Sequence, residues 1–378
     1  MIKISEIVLY IMLLLPISTL FVNQNISNKV IFAVSIIVFF IMSMKRLKKK
    51  ELIVLALLAI EFFISIYVTG TVKLYNLNDI FYLPLWFFML FYFKDYLSNF
   101  GNTILRHLKL VKYSVYLWQI LFVVLRVLYP SMNEEFLHRS ASSAFFIIVL
   151  VWYIAKVTND KKFNMHLIIP LAAIFLLQVR TYLILGLLVA NMSYYSIFKK
   201  KKYYYFTILP VLAITIYFVL QTSIGARFTN MTESYYGGVL ATVTSSRSVF
   251  WEADIKAFLN SNIWQKLIGH GYNFIYQVNY NSVKTYIWGH NDIIHILVTN
   301  GLLGIYIYFY AFISFLKSVR SNNFDKKLFY FATITFLFCA LFDGLYHYVC
   351  ASYAIPFLFS GIINGENKKK GVGQYVNL

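Results

Sequence analysis

Long apolar stretches separated by short polar links run through almost the whole of this chain, and a fold in water has no place for so many of them. A membrane-spanning helix needs about 20 apolar residues, or somewhat fewer where flanking side chains snorkel. Such stretches fall near 5–22, 30–44, 52–69, 79–93, 113–130, 143–157, 165–179, 182–197, 203–220, 293–316, 328–342 and 347–363. The seventh and eighth form a tight hairpin that turns at Gln178-Val179-Arg180-Thr181. Composition agrees. Only 13% of the 378 residues are charged, against roughly 25% in a soluble domain. The 19% of aromatic residues suits helices that cross two membrane interfaces. The expected fold class is all-α: a polytopic integral membrane protein of about 12 transmembrane helices, embedded in the lipid bilayer.

A net charge of +19 would suit nucleic acid, but its distribution excludes that partner. The lysines and arginines sit in short clusters between apolar stretches, where they act as topology signals. With the N-terminus inside, the cytoplasmic links collect 24 of the 34 basic residues. This supports an even helix count with both termini cytoplasmic in the cell membrane. Merging the hairpin into one helix would put Lys199 to Lys202 on the outer side, so the charges favour two. The first stretch has no small-residue cleavage site after it and reads as a retained helix. The two cysteines, Cys339 and Cys350, lie in late apolar segments and make no disulfide framework.

Three regions follow: an N-terminal membrane bundle at 1–220, a large extracytoplasmic loop at 221–292, and C-terminal membrane helices with a basic tail at 293–378. The loop is too polar to span. It contains a helix at 247–259, with Trp251, Ile255, Phe258 and Leu259 on one face and Glu252, Asp254 and Lys256 on the other. Ser245 or Ser246 would cap it.

The residues suited to chemistry gather on the outer side. Arg180 stands at the hairpin turn, where arginines are scarce. It is either a snorkelling side chain or a fixed cation whose planar fork holds two phosphate oxygens. Arg247 opens the loop helix, where the positive end of the dipole disfavours a cation. Its placement there implies an anion bound by the arginine and free N–H groups together. Arg227 and Arg139 are weaker candidates of the same kind, and Arg126 pairs with Glu134 or Glu135.

Gly269-His270-Gly271 permits tight turns or close approach to a ligand. In Gly289-His290-Asn291-Asp292, either Asn291 or Asp292 caps the tenth helix. His290 stands at the membrane surface, where it can orient or deprotonate a sugar hydroxyl. His295 either assists or packs. Asp343 and His347 flank the last outer turn and can face the same cavity. The loop tyrosines (Tyr235, Tyr236, Tyr272, Tyr276, Tyr280, Tyr286) and Trp288 form either an interfacial belt or a platform for sugar rings. Glu61, inside the third stretch, reads as a carboxyl hydrogen-bonded between helices. No Cys/His cluster has zinc spacing and the loop acids are few, so no metal site is expected.

Together these motifs have a recognisable order. The hairpin Arg180 is followed by Arg227-Phe228, Ser246-Arg247, Trp251, Gly269-His270-Gly271, His290-Asn291 and Asn300-Gly301-Leu302-Leu303-Gly304. This resembles the O-antigen ligase and Wzy-type polysaccharide polymerase superfamily, most strongly over 170–310. The sequence departs from that pattern at Val179, where a Ser is usual, and at Gly289, where a second His or an Ala often stands.

The resemblance implies a GT-C-like membrane glycosyltransferase that uses no metal or other cofactor. Its substrate would be an oligosaccharide on undecaprenyl pyrophosphate, and its partners a chain-length regulator and a flippase of the same pathway. The product would be capsule, exopolysaccharide or O-antigen. Arg180 and Arg247 would hold the pyrophosphate and His290 would serve the attacking hydroxyl. Arg227, Arg139, Gly269, Gly271, Asn291 and Trp251 would complete the substrate site. The alternatives are a ligase acting on another acceptor, a twelve-helix flippase or transporter, and a non-catalytic assembly protein. A flippase is disfavoured because the polar residues concentrate in one outer loop.

Overall fold

A computed structural model describes residues 4–20, 24–44, 47–69, 79–128, 134–177, 179–197 and 247–363. The described residues form α-helices and no strand. They are α1 (Ile4–Ser18), α2 (Gln24–Met44), α3 (Lys49–Thr69), α4 (Asp79–Arg106), α5 (Leu108–Leu128) and α6 (Glu134–Thr158). A 3-10 segment at Lys161–Leu167 leads into α7 (Ile168–Leu176), and α8 (Arg180–Ile197) follows. Beyond these come α9 (Arg247–Leu259), α10 (Ile263–Ile268), α11 (Phe274–Val283), α12 (Asp292–Thr299), α13 (Gly301–Arg320), α14 (Lys326–Phe342) and α15 (Val349–Ile362).

Three helices form the centre because their sequences are apolar all round, which leaves no face for solvent. Tyr82 through Phe93 of α4 are all buried, as are Ala141 through Ala155 of α6 and Cys350 through Ile362 of α15. Trp86 of α4 stacks on Tyr308 of α13 at 4.7 Å and donates to its carbonyl at 3.2 Å. The peripheral helices bury only one stripe. In α3 it is Glu51, Val54, Leu58, Glu61 and Ser65, a helical repeat. The opposite side of α3 exposes Leu52, Ile53, Ile60, Phe63 and Tyr67, and α5 exposes Leu117, Ile120, Val123 and Val127. An outer surface this apolar fits hydrocarbon and not water.

Five helical segments are long and apolar enough to cross a membrane: Lys49–Thr69, Asp79–Arg106, Leu108–Leu128, Ala141–Thr158 and Gly301–Arg320. Shorter apolar helices lie at Ser5–Ser18, Ala33–Met44 and Val349–Ile362.

The structure departs from the sequence reading at several points. The fourth helix does not stop near 93. It runs on to Arg106 because Lys94 is not a solvated terminus: it pairs with Glu51 of α3, each side chain only 10% exposed. The seventh stretch begins as a 3-10 turn capped by Asp160, which leaves α7 only nine residues long. The segment 247–283 holds three helices, not one.

The tenth stretch, read as one helix over 293–316, is broken at Asn300-Gly301 into α12 and α13. Gly301 has φ +65° and lies against the backbone of Leu267 and Gly269, so the loop itself imposes the break. The hairpin before Arg180 and the helix at 247–259 stand where the sequence places them. The ninth stretch, 203–220, lies outside the described residues.

Candidate functional site

The helix ends carrying Thr69 and Asp79 lie at the opposite end of the bundle from the Lys94–Glu51 pair. There α9, the segment 288–292 and the turn at 343–348 converge. Arg247, the first residue of α9, donates through Nη2 to Asp343 Oδ1 at 2.8 Å and through Nη1 to the carbonyl of Phe342. The anion that this position calls for is thus supplied in part by the protein. Two of the five guanidinium N–H groups are used in these bonds, and the fork retains three more donors.

The same Asp343 oxygen lies 3.5 Å from Nδ1 of His290. His290 adopts φ 47°, the left-handed region that non-glycine residues seldom enter. Its neighbours hold it there. The Trp288 ring packs on it at 4.4 Å, and Trp251 Nε1 donates to the Gly289 carbonyl at 2.6 Å. Asn291 then caps α12, accepting from Ile294 N at 3.1 Å.

Three buried carboxylates surround this point. Asp292 Oδ2 accepts from Leu345 N at 2.7 Å, Tyr346 N at 3.1 Å and the Tyr308 hydroxyl at 3.1 Å, which ties α12 to the turn at 343–348. Burial pushes the Asp292 carboxyl up to about 8, although these donors pull the other way. Asp79, at the start of α4, accepts from the Tyr276 hydroxyl at 2.8 Å and lies 3.5 Å from Nε2 of His347. Trp288 stacks on His347 at 3.9 Å, nearly parallel, and so touches both His347 and His290.

The structure brings Arg247, His290, Trp251, Asn291, Asp343 and His347 together. Arg180 opens α8 at the same end, where Tyr182 meets Tyr348 and Tyr348 meets Trp288. Arg139 belongs to α6, and its side chain is outside those described. Arg227, Tyr235, Tyr236, Ser245 and Ser246 lie outside the described residues, as do the side chains of Glu134 and Glu135.

Gly269 and Gly271 approach the chain's own backbone. At φ +84° and +79°, a Cβ on Gly269 would stand 2.1 Å from the Thr299 carbonyl oxygen, and one on Gly271 2.5 Å from Thr69 Oγ1. His270 between them stacks on Phe274 at 3.9 Å and bonds Ser261 at 2.6 Å, and burial lowers its pKa. Among the loop tyrosines, Tyr272 and Tyr276 are buried, while Tyr280 and Tyr286 form an exposed stacked pair at 4.3 Å.

The two faces expected of α9 hold only in part: Glu252 and Lys256 are exposed and Phe258 packs against the Ile275–Tyr276–Val298 cluster. The buried positions of α9 are Phe250 and Asp254, while Ile255 and Leu259 are exposed. Asp254 turns inward beside Asn279 of α11, and burial pushes its carboxyl up to about 8. Glu61 behaves as the sequence suggests: its Oε1 accepts from Ser65 and from Asn300, both at 2.5 Å.

The grouping that sequence reasoning missed is Asp79, His295 and His347. They lie on three separate segments with ligand atoms all within 4.8 Å of one another. No local spacing could reveal it. The available signals were the histidine inside an apolar helix and the acid that opens another. Compared with known proteins, the chain matches no family model, no curated protein and no solved structure.

Proposed function

We propose that this chain is a membrane glycosyltransferase that polymerises oligosaccharide repeat units carried on undecaprenyl pyrophosphate, for capsule, exopolysaccharide or O-antigen. The observation that supports it is the sharing of Asp343 by Arg247 and His290. A phosphate-binding fork and a hydroxyl-activating histidine then stand side by side at one end of an apolar bundle. In the full reading the bundle has twelve spanning helices and a GT-C-like arrangement. Both termini are cytoplasmic and the site faces outward.

The proposed chemistry is direct displacement at the anomeric carbon. The bond from that carbon to the pyrophosphate oxygen breaks, a bond to the acceptor hydroxyl oxygen forms, and the hydroxyl proton passes to His290. With Nδ1 turned toward Asp343, Nε2 is the nitrogen that takes it. Charge gathers on the departing pyrophosphate, where Arg247 and Arg180 stabilise it. Such stabilisation is most effective in a partly dry site. The exposed Tyr280–Tyr286 pair offers a face to the sugar rings. The polyprenyl tail lies along the apolar outer surface of the helices. A chain-length regulator and a flippase would be its partners in the same pathway. No step in this scheme requires a metal ion.

Deletion of the gene tests the reading. Single repeat units should remain on the lipid carrier. Long chains that build up on the carrier without reaching their anchor would instead make this a ligase acting on another acceptor. Unchanged polysaccharide would refute both.

A further inference from the structure

We propose that Asp79, His295 and His347 bind one first-row divalent cation of the zinc class, which clamps the floor of the outer site. One carboxylate oxygen and one ring nitrogen from each histidine fall within 4.8 Å of one another. All three residues are buried, at 4%, 1% and 8% exposure. Metal–ligand bonds of about 2.0–2.1 Å at tetrahedral angles put neighbouring ligand atoms roughly 3.4 Å apart. The 3.5 Å between His347 Nε2 and Asp79 Oδ1 matches that edge. It is longer than an ordinary hydrogen bond.

The surroundings fit a metal site. His295 is sealed inside α12, and its Nδ1 has no hydrogen-bond partner among the described residues. A buried ring nitrogen left so is unfavourable, and a cation would satisfy the imidazole. The Tyr276 hydroxyl holds the other oxygen of Asp79 at 2.8 Å, the kind of outer-shell bond that orients a ligating carboxylate. Trp288 lies flat on His347 at 3.9 Å and fixes that ring. Two imidazoles and one carboxylate favour zinc, cobalt or iron over magnesium or calcium, which prefer oxygen donors.

The ion would join the start of α4, the middle of α12 and the turn before α15. Its ligand His347 packs on Trp288, which also packs on His290, so the ion would steady the frame on which His290 stands. Its role is positional, and the site binds metal whatever the protein acts on.

The test is metal content of the full chain purified in detergent, measured by mass spectrometry, together with the visible spectrum after chelation and refilling with cobalt. Wild type is expected to carry one zinc-class ion per chain and to show the absorption of imidazole-bound cobalt. His295→Gln and Asp79→Asn should each lose both signals, while His270→Gln, outside the cluster, should keep them. Chelation should lower the melting temperature of the wild type, and zinc but not magnesium should restore it. Wild type that takes up neither zinc nor cobalt stoichiometrically overturns the proposal, as does full retention in His295→Gln. Because the readout is bound metal, failure here leaves the glycosyltransferase reading standing.

Discussion

Arg247 at the head of α9 and Asp343 at the foot of α14 are joined by a 2.8 Å charge-assisted hydrogen bond, with the Asp343 side chain fully buried and that of Arg247 15% exposed. This bond ties α9 to the turn between α14 and α15. Removing one partner strands the other, and breaking a buried pair typically costs roughly 3–5 kcal/mol. Arg247→Ala should therefore lower the melting temperature of the purified protein as well as stop glycan lengthening. The double change Arg247→Met with Asp343→Leu should recover stability and not activity. Recovery of both would show that the arginine serves the fold alone.

Arg247→Lys separates charge from geometry. A lysine keeps the cation but cannot contact Asp343, the Phe342 carbonyl and a phosphate in one plane. Chain length should shorten strongly while the protein stays in the membrane. Full-length glycan from this variant would count against a bidentate phosphate contact.

His290→Ala and His290→Gln should both abolish lengthening with little change in melting temperature, because the ring is held by packing against Trp288 and contributes no helix cap. The cap is Asn291, and Asn291→Ala should instead cost about 1 kcal/mol of stability. Normal glycan in both His290 variants would remove the histidine from the mechanism.

Asp254 gives a pH dependence with a definite sign. Its carboxyl is raised from 3.8 to about 8 in the folded protein by burial. The folded state therefore holds a proton that the unfolded state has released above about pH 4. Stability is full below that pH, falls as pH rises, and stops falling beyond about pH 8. Asp254→Asn should flatten this slope in thermal melts taken between pH 5 and 9. A slope unchanged by the substitution would show that other groups carry it.

Glu61 links α3 to the break between α12 and α13 through Asn300. Glu61→Gln should be tolerated. Glu61→Leu strands the buried Asn300 amide and should cost roughly 1–3 kcal/mol. Equal melting temperatures for the two variants would deny the link.

What was legible in the sequence was local. The apolar stretches, the hairpin before Arg180, the 247–259 helix and the Asn291 cap all depend on neighbours in the chain. The failures came from tertiary contacts. The break at Asn300-Gly301 exists because α10 and the Gly269 turn press on it. The two faces of α9 were legible at Glu252, Lys256 and Phe258 but not at Asp254, which turns inward, nor at Ile255 and Leu259, which are exposed. Asp343 and His347 were visible as neighbours of His290, because all three stand at ends of apolar stretches that the charge pattern puts on one side. The pairing of Asp79 with His347, from opposite ends of the chain, needed the fold.

The most direct test of the central claim is reconstitution. Lipid-linked single repeat units would be extracted from a strain lacking this gene and mixed with the purified protein in vesicles, and the products sized on a gel. The account predicts a ladder of lengthening chains and release of undecaprenyl pyrophosphate, both absent with Arg247→Lys or His290→Gln. Repeat units that stay single with the folded wild-type protein would contradict it.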